Sequence, residues 1–124
     1  KIARRLSDQR PEELGPLNVC LQVNVDAEVG KSGVSVDGLA ELATACADLP
    51  GLRLRGLMCL PAIREGFAAQ REPFATLRKL ADELREQGYP MDTLSMGMSA
   101  DYSAAIFEGA TIVRIGTALF GKRT

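Results

Sequence analysis

Apolar residues fall in two rhythms along this chain. Short runs rich in aliphatic and β-branched residues read as strands: LNVCLQVNV (17–25), LRLRGLMCL (52–60), TLSMG (93–97) and TIVRIG (111–116). Between them the spacing widens to i, i+3, i+4, i+7, the signature of helices with one buried face. In SVDGLAELATACADLPG (35–51) the stripe is Leu39, Leu42, Ala43, Cys46 and Leu49; Ser35 caps its start and Pro50-Gly51 stops it. In REPFATLRKLADELREQG (71–88) the stripe is Phe74, Leu77, Leu80, Ala81 and Leu84, with Lys79 and Glu83 paired opposite and Gly88 at C′. SADYSAAIFEG (99–109) reads as a short helix with Ser99 as N-cap and Gly109 as terminator. KIARRLSDQR, with Ile2 and Leu6 one turn apart, reads as the tail of a helix, and TALFG leaves room for a final helical turn. The stretch from Arg64 to Arg71 carries no period and is expected to be disordered.

The order is β-α-β-α-β-α-β, which requires parallel strands joined by crossover helices. A small doubly wound sheet and part of a (β/α)8 barrel both satisfy it. A barrel takes about 250 residues, and the chain has 124. It opens inside a helix without an initiator Met, and its outer strands would leave unpaired edges. The expected fold is therefore α/β: parallel (β/α) units forming the C-terminal half of a TIM-like barrel. Residues 1–124 would be a single partial domain whose N-terminal half lies elsewhere.

Composition narrows the chemistry. The net charge of −1 gives no basic field for nucleic acid or an anionic membrane. No apolar run reaches the roughly 20 residues of a membrane span. Cys20, Cys46 and Cys59 lie in apolar surroundings without CxxC spacing, which points to a reducing, cytoplasmic setting. There is no histidine, so Ser-His and Cys-His catalysis cannot be assembled from this chain, and no metal site is expected. No catalytic residue is assigned.

Ligands of parallel α/β folds bind at the C-terminal ends of strands. Gly97-Met98-Ser99 leads one strand directly into a helix, where free N–H groups, a hydroxyl and a small residue suit phosphate. Simple capping by Ser99 is the competing reading. Gly116-Thr117 repeats the arrangement after the next strand, with an ordinary strand-to-helix turn as the alternative. In a C-terminal half-barrel these would be strands seven and eight, where barrel enzymes frequently hold phosphate. Arg114 shares a strand face with Ile112, opposite Val113 and Ile115. The helix-packing face must be apolar, so Arg114 should point inward near the barrel mouth, toward a ligand or an acid from the other half. Lys31 sits in a loop at the same rim, and Tyr102 and Phe107 read as helix packing.

Taken together, SDQRPEELGPLNVCLQVNV, KSGV, LRLRGLMCLPA and DTLSMGMSADYSAAIFEGATIVRIGTALFG resemble the pyridoxal-phosphate homeostasis protein family across essentially the whole chain. The resemblance implies an alanine racemase-like barrel that binds pyridoxal 5′-phosphate (PLP) without established catalysis. It implies a role in keeping the cofactor pool balanced, with PLP-dependent apo-enzymes as conceivable partners. It implies that Met98, Ser99, Gly116 and Thr117 hold the phosphate and that Arg114 approaches the pyridine nitrogen. The family's Schiff-base lysine lies in an N-terminal Ser-Lys motif that none of Lys1, Lys31, Lys79 or Lys122 matches. That lysine is expected in the N-terminal half. A PLP-dependent amino-acid racemase is the alternative, and it needs a second acid/base, typically a Tyr from a further domain. A barrel enzyme acting on another phosphorylated substrate is the third reading.

Overall fold

Parallel strands cannot be joined by a tight turn, so each connection must cross the sheet, and helices make these crossings. The computed structural model describes residues 2–27 and 32–116. Helix α1 spans Ile2–Gln9 and is followed by a 3-10 turn at Glu12–Leu14 and strand β1, Leu17–Gln22. Then come α2 (Leu39–Ala47), β2 (Leu52–Met58), α3 (Phe67–Glu86), β3 (Thr93–Met98), α4 (Tyr102–Phe107) and β4 (Ile112–Arg114). The four strands lie in sequence order β1-β2-β3-β4, and every pair is parallel. Past β1, Val23 bridges to Val34, so the chain returns briefly alongside that strand's free edge.

One face of the sheet is dry. Leu21, Val23, Leu57, Leu94 and Met96 pack there against Leu39 and Ala43 of α2 and against Phe74, Leu77 and Ala81 of α3. The α2 and α3 stripes fall where their periodicity predicts, with Leu42 and Leu80 at the margin of the core. The other face carries Asn18, Arg53, Ile112 and Arg114, all exposed. Ser7 Oγ accepts the Gly51 N–H at 2.8 Å and ties α1 to the turn before β2.

A bulge reconciles β2 with this division. Val19 pairs with Leu54 but Cys20 pairs with Gly56, so Arg55 is an extra residue. The slip lets both Leu54 and Leu57 face the helices, and Arg55 instead grips Asp92 through Nε and Nη2. Its guanidinium holds the Asp92 carboxyl down at about 2. At Gly56 the neighbouring Thr93 backbone occupies the space a Cβ would need.

Two expectations are corrected here. The stretch from Arg64 to Arg71 is ordered: α3 begins at Phe67 and carries Pro73 within it. The preceding loop is fastened by Asp26, whose Oδ2 accepts the Ala62 N–H at 2.7 Å and whose Oδ1 accepts Arg64 Nη2 at 2.6 Å. Asp26 lies 38 residues from Arg64 in sequence, so local pattern carries no trace of the contact. On the outer side of α3, Asp82 takes Arg85 and Arg78 as partners, in place of the expected Lys79–Glu83 pair. The end of α3 follows expectation: Gly88 has φ +101°, its N–H reaches Arg85 O, and the Tyr89 N–H reaches Leu84 O, a Schellman closure.

Replacing Gly56 with Ala forces a methyl group into the Thr93 backbone, which cannot yield as a side chain would. The expected loss is about 3 kcal/mol of unfolding free energy, read by chemical denaturation. A neutral substitution would show that β2 and β3 separate more easily than this packing allows.

Candidate functional site

The ends of β3 and β4 meet through a second bulge. Ser95 pairs with Ile112 and Met98 with Arg114, so β3 takes three steps where β4 takes two. Gly97 absorbs the difference at φ +104°, a conformation that favours glycine. A Cβ there would stand 2.6 Å from Ala105 Cβ and 3.2 Å from Val113 Cγ1. Helix α4 therefore presses directly on the bulge.

Beyond the bulge the chain closes a tight turn. The Asp101 N–H donates to Met98 O at 3.1 Å, and the Met98 N–H donates to Asp101 Oδ1 at 2.8 Å. Helix α4 begins only after this, at Tyr102, with Asp101 in the preceding position. Ser99 is thus not the N-cap that its spacing suggested. It lies half-buried inside the turn, because Asp101 supplies the side chain that closes it. Met98 beside it is exposed.

Register puts Met98 directly alongside Arg114. The alternation expected for β4 holds: Val113 packs on the core, while Ile112 and Arg114 stand on the uncovered face. Arg114 makes no ion pair with any described carboxylate. Among the described residues, nothing lies within 4 Å of where a Cβ at Gly116 would stand. Met98, Ser99, Arg114 and Gly116 are therefore brought to one sheet end. Thr117, Lys31, Lys1 and Lys122 lie outside the described residues.

A hydroxyl in a turn and a guanidinium on the adjacent strand are the kinds of group that bind anions. Lys79 is exposed on α3, which packs on the helix-covered face, away from this sheet end. Tyr89 Oη lies 3.1 Å from Thr44 Oγ1, and Tyr89 packs against the core on that same covered face. Tyr102 is partly exposed in the first turn of α4, and Phe107 sits edge-on to Phe67 at 5.7 Å. A groove of about 320 Å³ at the end of β1 is lined by Gln22, Asn24, Asp26 and Ser32 with Val23, Val25 and Leu60.

Several working residues escaped the sequence reading. Gln70 Nε2 bridges Arg64 O at 3.0 Å and Ala100 O at 3.4 Å, joining the Asp26-anchored loop to the turn. Glu108 is buried at the end of α4 between Arg71 and Arg78 of α3. The Arg71 hydrogen bond, with help from Arg78, holds its carboxyl below the ordinary range despite burial. A signal for Glu108 did exist: a carboxylate at a helix C-terminus opposes the dipole and needs a cation.

The family model for the alanine racemase N-terminal domain matches residues 1–124. The chain is 59% identical over 123 residues to the pyridoxal phosphate homeostasis protein of Pseudomonas aeruginosa, covering 99% of this chain and 52% of that protein. The protein of the same description from Escherichia coli is 50% identical over 123 residues, with 99% and 53% covered. The chain spans about half the length of the curated relatives it matches. Among solved structures it is similar to PipY of Synechococcus elongatus PCC7942 with PLP bound, at TM-score 0.82 and 32% identity, covering 97% of this chain and 56% of that one. Alanine racemase from Corynebacterium glutamicum aligns at TM-score 0.74 over 98% of this chain and 33% of that one, and its 17% identity speaks for the fold alone. The resemblance noted in the sequence holds across the chain.

Thiol chemistry gives a ligand-free check on this geometry. Burial, with the charges of Asp26 and Asp101, pushes the Cys59 thiol up to about 12, and burial also raises Cys46 and Cys20. Because the thiolate is the nucleophile, Cys59 and Cys46 should resist alkylation at pH 8 until the protein is denatured, as read by mass spectrometry. Rapid native modification of Cys59 would contradict the closed packing at the end of β2.

Proposed function

The chain belongs to the alanine racemase N-terminal-domain family, and from that premise we propose that it is the phosphate-holding, C-terminal half of a PLP-binding (β/α)8 barrel. The protein carrying it acts in intracellular, cytoplasmic cofactor homeostasis as a non-catalytic carrier that supplies PLP-dependent apo-enzymes. The observation that carries this reading is the pairing of Met98 with Arg114, which brings the two strand ends together. The names of the relatives and the PLP-bound PipY structure support the choice of cofactor.

Each residue has a physical task. Ser99 offers its hydroxyl to the phosphate from the turn that Asp101 closes, and Met98 walls that turn. Gly116 would offer backbone just past β4, and Thr117, outside the described residues, is the second hydroxyl the sequence supplies there. Arg114 would approach the ring nitrogen, where a guanidinium disfavours a proton on that nitrogen. When bound, PLP supplies a reactive aldehyde on an electron-withdrawing ring, and an unprotonated ring withdraws less. That bias suits a carrier or a racemase better than a transaminase. The lysine that captures the aldehyde belongs to the N-terminal half.

The racemase reading has less to stand on. The similar curated relatives are named for homeostasis, and the alanine racemase likeness extends to fold only. Tyr89 is committed to the helix side of the sheet.

Full-length protein mixed with PLP should develop an absorbance band shifted from free cofactor and, after borohydride, carry a cofactor mass on one lysine. Ser99→Ala should weaken PLP binding about tenfold, the loss of a hydrogen bond to a charged group. Arg114→Gln should keep the fold and shift the band of the bound cofactor. No adduct on any lysine would overturn the proposal. Simple unfolding of Arg114→Gln would assign the arginine to an ion pair with the other half instead.

A further inference from the structure

Glu108 is the one charged residue among the described residues that is fully buried, at 3% exposure. Its place is doubly unfavourable. Burial removes water from the carboxylate, and the C-terminus of α4 presents carbonyls to it. An apolar residue there would cost less, since buried ion pairs seldom beat apolar packing for stability. Stability alone is therefore a weak reason for this arrangement, and its geometry offers a better one.

The two carboxylate oxygens are divided between two arginines. Oε2 accepts Arg71 Nε at 2.7 Å, and Oε1 accepts Arg78 Nε at 3.1 Å, with Arg78 Nη2 in an ion pair at 3.1 Å. Arg71 and Arg78 are seven residues apart on α3, about two helical turns. Apolar faces can slide past one another, but a carboxylate held from two turns cannot move along the α3 axis without losing a bond. Arg71 is braced in turn by Phe107, with its guanidinium 4.2 Å from the ring centroid.

The opposite end of α4 is held from the same helix. Gln70, adjacent to Arg71, reaches Ala100 O in the turn that contains Ser99. Helix α4 has only six residues, Tyr102–Phe107, and three residues separate it from β3. Ala105 already limits how closely it can settle on Gly97. A shift of α4 must therefore pass into the turn at 98–101.

We infer that Glu108 is a positioning residue for the phosphate end of the cofactor site: clamped by Arg71 and Arg78, it sets where α4 begins and so where the turn presents Ser99. This rests on the reading of Ser99 as a phosphate contact. Glu108 touches no ligand itself. Its influence should appear in recognition of the phosphate and not in recognition of the ring.

The test compares PLP with pyridoxal, which lacks the phosphate, on full-length protein by equilibrium binding. Glu108→Gln should weaken PLP about tenfold and leave pyridoxal unchanged, so the preference for the phosphorylated form falls. Combined with Ser99→Ala, it should add little further loss, because both act on one contact. Should Glu108→Gln fail to fold, Arg78→Gln, which leaves Arg71 in place, gives the same comparison. Equal weakening of both compounds, or an unchanged preference, would overturn the positioning role and leave Glu108 a structural anchor. Wild-type protein that binds neither compound, or binds them equally, would overturn the proposed function itself.

Discussion

A methyl group at position 97 would stand 2.6 Å from Ala105 Cβ, and this crowding governs the end of the sheet. Gly97 lets β3 take its extra residue at φ +104° while α4 lies flat against the bulge. From that contact the rest follows. Met98 reaches register with Arg114, and the chain must reverse at once, which it does through Asp101. The helix is then short because little length remains before Gly109, at φ +98°, ends it with another Schellman closure. A side chain at 97 would push α4 outward and separate the two strand ends.

Charge organises the rim where apolar packing stops. Asp26 fastens the loop after β2, Gln70 carries that loop to the turn after β3, and Glu108 fixes the far end of α4. The strength of these bonds comes from partial burial: Asp26 and Glu108 are withdrawn from solvent while their arginines keep contact with it. An exposed pair such as Arg55–Asp92 contributes little by comparison, being screened by water on both sides. The rim is therefore held by side chains whose partners lie some 30 to 38 residues away.

That distance marks what the sequence could and could not reveal. The α2 and α3 stripes, the four strands and the Gly88 and Gly109 caps are local patterns, and each appears where its periodicity or backbone demand implies. So does the alternation that turns Arg114 away from the core. The disorder expected after Arg64 failed because order there is conferred by Asp26, in the turn that follows β1. Ser99 was misread for a related reason: two capping residues stand two positions apart, and only the turn geometry decides that Asp101 takes the Met98 N–H. Glu108 carried no reading from the sequence, although its conflict with the helix dipole was visible there.

The uncovered face of the sheet bears on function more than the covered one. Its exposed residues are mixed, with Asn18, Arg53, Ile112 and Arg114 in place of a continuous apolar layer. A doubly wound sheet would need helices on this side and hence apolar residues across it. A barrel interior tolerates the mixture near its mouth, where ligand and water share the space. The same argument bears on Arg114. A guanidinium packed under a helix would need an acid beside it, whereas one near a barrel mouth can remain solvated until a ligand arrives. The lack of a described carboxylate partner is then no defect in the strand, because an exposed guanidinium on the uncovered face stays hydrated.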